Sequence, residues 1–183
     1  MSNPRFLAFA GITLAAATVR LIPHPPNFTP LAAMALFGGA HFADKRAAFA
    51  VPLMAMYASD LFLGFFVYDF GWFHGSMPVI YGSFAVVVCL GLMIRAQRTP
   101  LAIGAAAVSG SLLFFVATNF AVWLAGALYP RTFEGLFACY VAAIPFFWNT
   151  LAGDALYTFV LFGGFVIAER CCAPLRVRPA LES

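Results

Sequence analysis

The residues of this chain that could take part in chemistry are few, and most of them lie within or beside long apolar segments. Carboxylate and amide side chains in such surroundings bind a ligand through hydrogen bonds, and aromatic rings bind it by stacking. The candidate binding residues are Asp60, Tyr81, Asn119, Trp123, Asn149, Asp154, Trp72, His74, His24 and Asn27. Whether they meet at one site depends on the elements that carry them.

The composition indicates an integral membrane protein. Of 183 residues, 63% are hydrophobic and only 9% are charged, whereas a soluble domain carries about 25% charged residues. High hydrophobicity with low charge excludes intrinsic disorder. A net charge of +3 that forms no basic stripe argues against a nucleic-acid partner. We therefore expect a lipid bilayer around this chain.

The apolar segments predict an all-α polytopic protein with about six transmembrane helices, because about 20 residues cross a bilayer. Residues 1–170 form one helical domain, and residues 171–183 form a polar cytoplasmic tail. Pro145 is expected to break off a separate interfacial helix at Phe133–Phe147. The predicted spans are Arg5–Ile22, Pro30–Ala43, Ala47–Phe66, Met77–Ile94, Leu101–Leu128 and Trp148–Ala168.

Segment Pro30–Ala43 leaves two arrangements open. At about 1.5 Å per residue it reaches roughly 21 Å, so it is either a short span or a re-entrant helix. With six spans the N-terminus is cytoplasmic; with a re-entrant segment it is outside, and Arg5 and Arg20 exchange sides. Both arrangements place eight of the ten basic residues and the C-terminus in the cytoplasm. His24 is an outer residue only in the six-span arrangement.

The polar residues of the predicted spans fall in their outer halves, which predicts a cavity open to the outside and closed toward the cytoplasm. Ionisable residues are costly inside a bilayer and usually mark a functional interior. Tyr81 and Trp123 would form stacking walls, and Trp72 with His74 would form a lid. Each of these residues also has a structural explanation. Asp60 would pair with Arg20, and Asp154 would interact favourably with a helix dipole. The tryptophans would belong to the aromatic belt at the membrane interface.

No catalytic or ATP-binding motif is found, and we expect no cofactor and no resident metal. Two other functions remain open. One is a membrane enzyme that uses Asp60, Asp154 and a histidine. The other is an assembly factor that binds a membrane protein through rows of small residues. These rows are Gly11 and Ala15; Ala35, Gly39 and Ala43; and Ala102, Ala106 and Gly110.

Several segments resemble the substrate-binding S-components of energy-coupling-factor vitamin transporters, and most closely an uncharacterised bacterial family related to them. The segments are RLIPHPPNFTPLAAMALFGGAHF at 20–42, AVPLMAMYASDLFLGF at 50–65, YGSF at 81–84, TNF at 118–120, and 149–157. The resemblance implies a six-helix bundle in the bacterial cytoplasmic membrane. It also implies uptake of a small water-soluble vitamin or cofactor precursor, with an energy-coupling membrane module as partner.

S-components dock that module through an Ala-xxx-Ala face on the first helix, and the nearest match here is Gly11 with Ala15. This departure favours a solitary transporter. Solitary S-component relatives that import cobalamin resemble this chain in the Pro-His segment and in the Ser-Asp helix. The resemblance makes cobalamin or another corrinoid the first substrate hypothesis. Where those relatives place a cobalt-ligating cysteine, this chain offers His74, and imidazole is also a good cobalt ligand.

Overall fold

The structure, a computed structural model, describes residues 4–67 and 75–175. These residues form six helices joined by turns, with no strand among them. The helices are α1 (Pro4–Val19), α2 (Leu31–His41), α3 (Lys45–Phe66), α4 (Met77–Met93), α5 (Pro100–Ala125) and α6 (Phe133–Cys171). A short 3₁₀ turn, Ile94–Ala96, extends α4, and another, Ala173–Leu175, follows α6.

Four of the helices are long and apolar enough to cross a membrane, which confirms the predicted all-α membrane fold. The apolar helical stretches of α3, α4 with its 3₁₀ turn, α5 and α6 contain 22, 20, 26 and 39 residues. Helices α1 and α2 are apolar but shorter, with 16 and 11 residues. At about 1.5 Å per residue α2 reaches only about 16 Å, roughly half of the hydrocarbon core. The predicted count of six spans is therefore approximate.

Local sequence signals set the ends of the long helices. The side chains of Asp44, Thr99 and Thr132 each accept a hydrogen bond from a first-turn backbone N–H, at 3.0, 3.1 and 3.2 Å. Such caps satisfy amides that have no partner within the helix. Helix α5 ends at Gly126, whose φ of 70° is a conformation that glycine adopts without strain.

Helix α2 is the centre of the bundle, and ten of its eleven residues are buried. It crosses α4 with backbone against backbone: a Cβ atom on Gly39 would lie 2.2 Å from the carbonyl oxygen of Val88. Phe9 of α1 and Phe165 of α6 pack beside it, with ring centroids 4.8 Å apart. Two of the three small-residue rows, those of Gly39 and Gly110, thus pack inside the bundle. The row of Gly11 and Ala15 faces outward.

The helices alternate in direction between two ends of the bundle. At one end, called here the basic end, Arg5 pairs with Glu169 at 2.7 Å, and Arg95 donates to the Gly39 carbonyl at the end of α2. The opposite end, called the distal end, carries Arg20 and Asn27. The N-terminus of α1 and the C-terminus of α6 therefore lie at the same end of the bundle.

The predicted break at Pro145 is wrong. Pro145 lies inside α6, which runs without interruption from Phe133 to Cys171, so neither Asn149 nor Asp154 opens a helix. A proline removes one helical hydrogen bond, and membrane helices tolerate this loss where neighbouring groups compensate. The real irregularity lies later, in a π-helical turn at Phe159–Gly163. The proposed dipole role of Asp154 also fails, because this residue is far from the N-terminus of α6.

Candidate functional site

A cavity between α5 and α6, called here the basic-end cavity, extends toward the basic end. Its volume is about 720 Å³, which lies within the range of small-molecule binding sites. Arg5, Arg98 and Glu169 lie at its rim, and most of its wall is apolar.

Three polar side chains lie at the inner end of the basic-end cavity. The Ser111 hydroxyl of α5 donates to Asp154 Oδ2 of α6 at 2.6 Å. Thr158 lies one turn beyond Asp154 on the same face of α6. Asp154 is 4% exposed and Thr158 is 6% exposed, so both are shielded from bulk water. Among the described residues, Thr158 Oγ1 is the buried side-chain oxygen that lacks a hydrogen-bond partner.

A smaller cavity of about 250 Å³, called here the distal cavity, lies between α4, α5 and α6. Asn27 and Asn119 line it, together with Thr118 and Thr150. The rings of Phe115 and Phe147, which also line it, lie 4.7 Å apart. Two of the predicted binding residues, Asn27 and Asn119, therefore share an aromatic-lined cavity at the distal end.

A layer of side chains on α5 and α6 separates the two cavities. On α5, Ser111 lines the basic-end cavity and Phe114 lines the distal cavity. On α6, Asp154 lines the basic-end cavity and Thr150 lines the distal cavity. Residues three or four apart lie one above the other on a helix. The Ser111–Asp154 hydrogen bond thus lies where the cavities approach each other.

Helix α6 is irregular on both sides of this layer. Pro145 precedes it, and the π-helical turn, whose residues Phe159, Phe162 and Gly163 line the basic-end cavity, follows it. Prolines and π-turns are the usual places where a helix bends, and π-turns are frequent at functional sites. The part of α6 that carries Asp154 is therefore flanked by two positions of the kind at which helices bend.

Asp60 belongs to a separate network at the distal end. Its Oδ1 atom accepts a hydrogen bond from Arg20, and its Oδ2 atom accepts one from the Tyr81 hydroxyl at 2.6 Å. Arg20 also donates to Ser59 Oγ at 3.0 Å. Asp60 is 3% exposed and fully partnered. This geometry is the Asp60–Arg20 pairing that the sequence analysis named as a structural alternative, with Tyr81 as a further member. These three residues are called here the Asp60 clamp.

The remaining predicted residues hold turns or lie outside the described chain. Trp123 Nε1 donates to the Pro130 and Thr132 carbonyls at 3.0 and 3.2 Å, which fixes the α5–α6 turn. Asn149 Nδ2 donates to the Pro26 carbonyl at 3.0 Å, and His24 lies beside the Pro25 carbonyl. The predicted lid of Trp72 and His74 lies outside the described residues.

The structure adds Ser111 and Thr158, which the sequence analysis did not single out. A signal for Thr158 was present: Thr150, Asp154 and Thr158 recur every four residues, which places them on one stripe of a helix. Ser111 gave no comparable signal, because only the packing of α5 distinguishes it from its neighbour Ser109.

A bundle of apolar helices, four of them long enough to cross a membrane, defines a polytopic integral membrane protein. The chain belongs to a family of unknown function, DUF6580, whose pattern matches residues 1–176. No curated protein and no solved structure matches the chain.

Proposed function

We propose that this protein is a small-molecule carrier that moves its substrate along the path between α5 and α6. The observation that carries the proposal is the pair of cavities, one toward each end of the bundle, with Ser111 and Asp154 between them. A carrier needs a binding site that opens to one side at a time, and the two cavities would form the two halves of such a path. Such sites in transporters often lie beside irregular helices, and α6 carries a π-helical turn at Phe159–Gly163.

The basic end is assigned to the cytoplasm of a bacterial inner membrane, with the C-terminus on that side. Support comes from the positive-inside rule, since Arg5, Arg95, Arg98 and Arg170 all lie at this end. In this orientation the distal cavity faces outward and the basic-end cavity faces inward.

The substrate class proposed from the S-component resemblance is a small soluble vitamin or cofactor precursor, including corrinoids. The cavity volumes favour the smaller members of that set, because sites of this size enclose drug-sized molecules. A corrinoid with His74 as cobalt ligand stays a hypothesis about residues outside the described chain.

An energy-coupling membrane module is proposed as a possible partner, and the exposed row of Gly11 and Ala15 on α1 is the surface for it. A Cβ atom added to Gly11 would meet nothing within 4 Å. The fold therefore leaves that face open to a neighbouring helix.

The enzyme alternative gains no support, because Asp60 and Asp154 belong to different networks on different helices. Acid–base catalysis would need both groups within reach of one substrate.

Thiol labelling tests the carrier proposal without knowledge of the substrate. In a variant without native cysteines, Leu151→Cys places a thiol in the basic-end cavity, and Phe147→Cys places one in the distal cavity. Membrane-impermeant thiol reagents are applied from one side of sealed proteoliposomes at a time. Val116→Cys, which is exposed on α5, is the lipid-facing control and should not react. In otherwise native protein, Cys171 and Cys172 at the basic end report orientation.

A carrier predicts that each cavity thiol reacts from both sides, because the path opens alternately. Labelling of each thiol from one side only would instead indicate static pockets and overturn the proposal.

A further inference from the structure

We infer that the basic-end cavity binds an amine with an apolar body, its ammonium group held between Asp154 and Thr158. This inference rests on the proposed function, because it assigns a ligand class to the same cavity. The argument combines a buried acid without a cation, a hydroxyl without a partner, and an apolar wall.

Asp154 is a buried carboxyl group that has no positive partner among the described residues. Ser111 supplies one hydrogen bond, to Oδ2, and no cation of the described residues forms an ion pair with Asp154. Asp60, equally buried, has Arg20. An uncompensated charge inside a protein is strongly unfavourable. A cationic ligand beside Asp154 would offset the cost of burying its carboxylate, which no cation of the described residues offsets.

Thr158 differs from the other buried hydroxyls on the helices. Thr13 and Thr150 each donate to a carbonyl one turn earlier in their own helix, at 2.8 and 3.1 Å. Thr158 directly precedes the π-helical turn, and its Oγ1 atom makes no such bond. Buried polar groups are nearly always satisfied, so this oxygen is available to a ligand in the cavity that it lines.

The wall of the cavity fits an apolar body better than a polar one. Val108 and Phe159 line it and are exposed on spanning helices, so this side of the cavity faces acyl chains. Ala107 and Phe162 continue the apolar surface inward. Arg5, His41, Arg98 and Glu169 line the same cavity nearer the basic end. A ligand whose ammonium group reaches Asp154 and Thr158 would place its apolar body against the apolar wall.

Equilibrium binding of 4-phenylbutylamine tests the inference, with 4-phenylbutanol as its uncharged counterpart. The full chain is placed in lipid nanodiscs, and empty nanodiscs correct for partition into lipid. We expect the amine to bind about tenfold more tightly than the alcohol, since hydrogen bonds to charged groups are stronger than neutral ones. Asp154→Asn should remove that preference, and Thr158→Val should weaken amine binding several-fold.

Thr150→Val is the matched control, because its hydroxyl is already bonded to Phe146 and lines the other cavity. It should leave amine binding unchanged. Equal binding of amine and alcohol, or amine binding unaffected by Asp154→Asn, would overturn the inference. If the cavity thiols still react from both sides, the carrier stands and only the ligand class is wrong. Asp154-dependent amine binding with one-sided labelling would support the ligand class and overturn the carrier.

Discussion

Two buried aspartates of this bundle, Asp60 and Asp154, are equally hidden from water but differ in their partners. Asp60 accepts hydrogen bonds from Arg20 and Tyr81 on neighbouring elements. Asp154 accepts one hydrogen bond, from Ser111, and lies at the inner end of a large cavity. The comparison teaches that burial of an aspartate in an apolar helix does not by itself indicate a binding site. The informative feature is whether the buried carboxyl group has a cationic partner, which Asp60 has and Asp154 lacks among the described residues.

The largest expected effect is on the Asp60 clamp. Arg20→Met leaves Asp60 buried without its cation, and breaking such a pair costs about 3–5 kcal/mol. We expect the free energy of unfolding, measured by denaturant titration in mixed micelles, to fall by about that amount.

Removal of both charges supplies the control for this prediction. Arg20→Met combined with Asp60→Leu should recover much of the loss, because paired apolar replacements of buried ion pairs are often neutral. An Arg20→Met variant as stable as the parent would show that the ion pair with Arg20 does not stabilise Asp60. The proposed difference between Asp60 and Asp154 would then be wrong.

A smaller effect is expected from Ser111→Ala, which removes the one hydrogen bond of Asp154. A buried acceptor left unsatisfied costs about 1–3 kcal/mol. The same unfolding titration should show this loss, while Ser109→Ala, on the same helix, should change stability by less than about 0.5 kcal/mol. Equal effects of the two substitutions would mean that the Ser111–Asp154 bond does not stabilise the layer between the cavities.

The smallest effects distinguish Thr158 from Thr150. Thr150→Val breaks a hydrogen bond to the Phe146 carbonyl, which is worth about 0.5–1.5 kcal/mol. Thr158→Val removes a hydroxyl that has no partner, so stability should stay the same or rise. Thermal unfolding of the two variants compares them directly; a larger loss for Thr158→Val would show that its hydroxyl is satisfied within the protein.

Much of the fold was predictable from the sequence, because apolar length and helix-end signals act locally. Asp44 and Thr99 cap helices close to the predicted starts, and the predicted ends of α3 and α4 lie within about a residue of those observed. The error at Pro145 has a physical reason: a proline breaks a helix in water, but α6 is supported on both sides of it by neighbouring helices.

The candidate site was predicted only in part, because partners across helices are not encoded in local pattern. The sequence analysis grouped Asp60 with Asp154 because both lie in the outer halves of predicted spans. In the structure Asp60 pairs with Arg20 and Tyr81, whereas Asp154 lines the cavity between α5 and α6. Asn27 and Asn119 share the distal cavity. Trp123 and Asn149 fix turns instead of lining it, since their side-chain donors are taken by backbone carbonyls.

Native mass spectrometry of the purified protein tests the central claim most directly, by asking whether a small molecule is bound at Asp154. Protein released gently from nanodiscs is compared with its Asp154→Asn and Thr150→Val variants. The account predicts a bound small molecule that the parent and Thr150→Val retain and that Asp154→Asn loses. The same bound masses in all three proteins, or phospholipid alone, would contradict it.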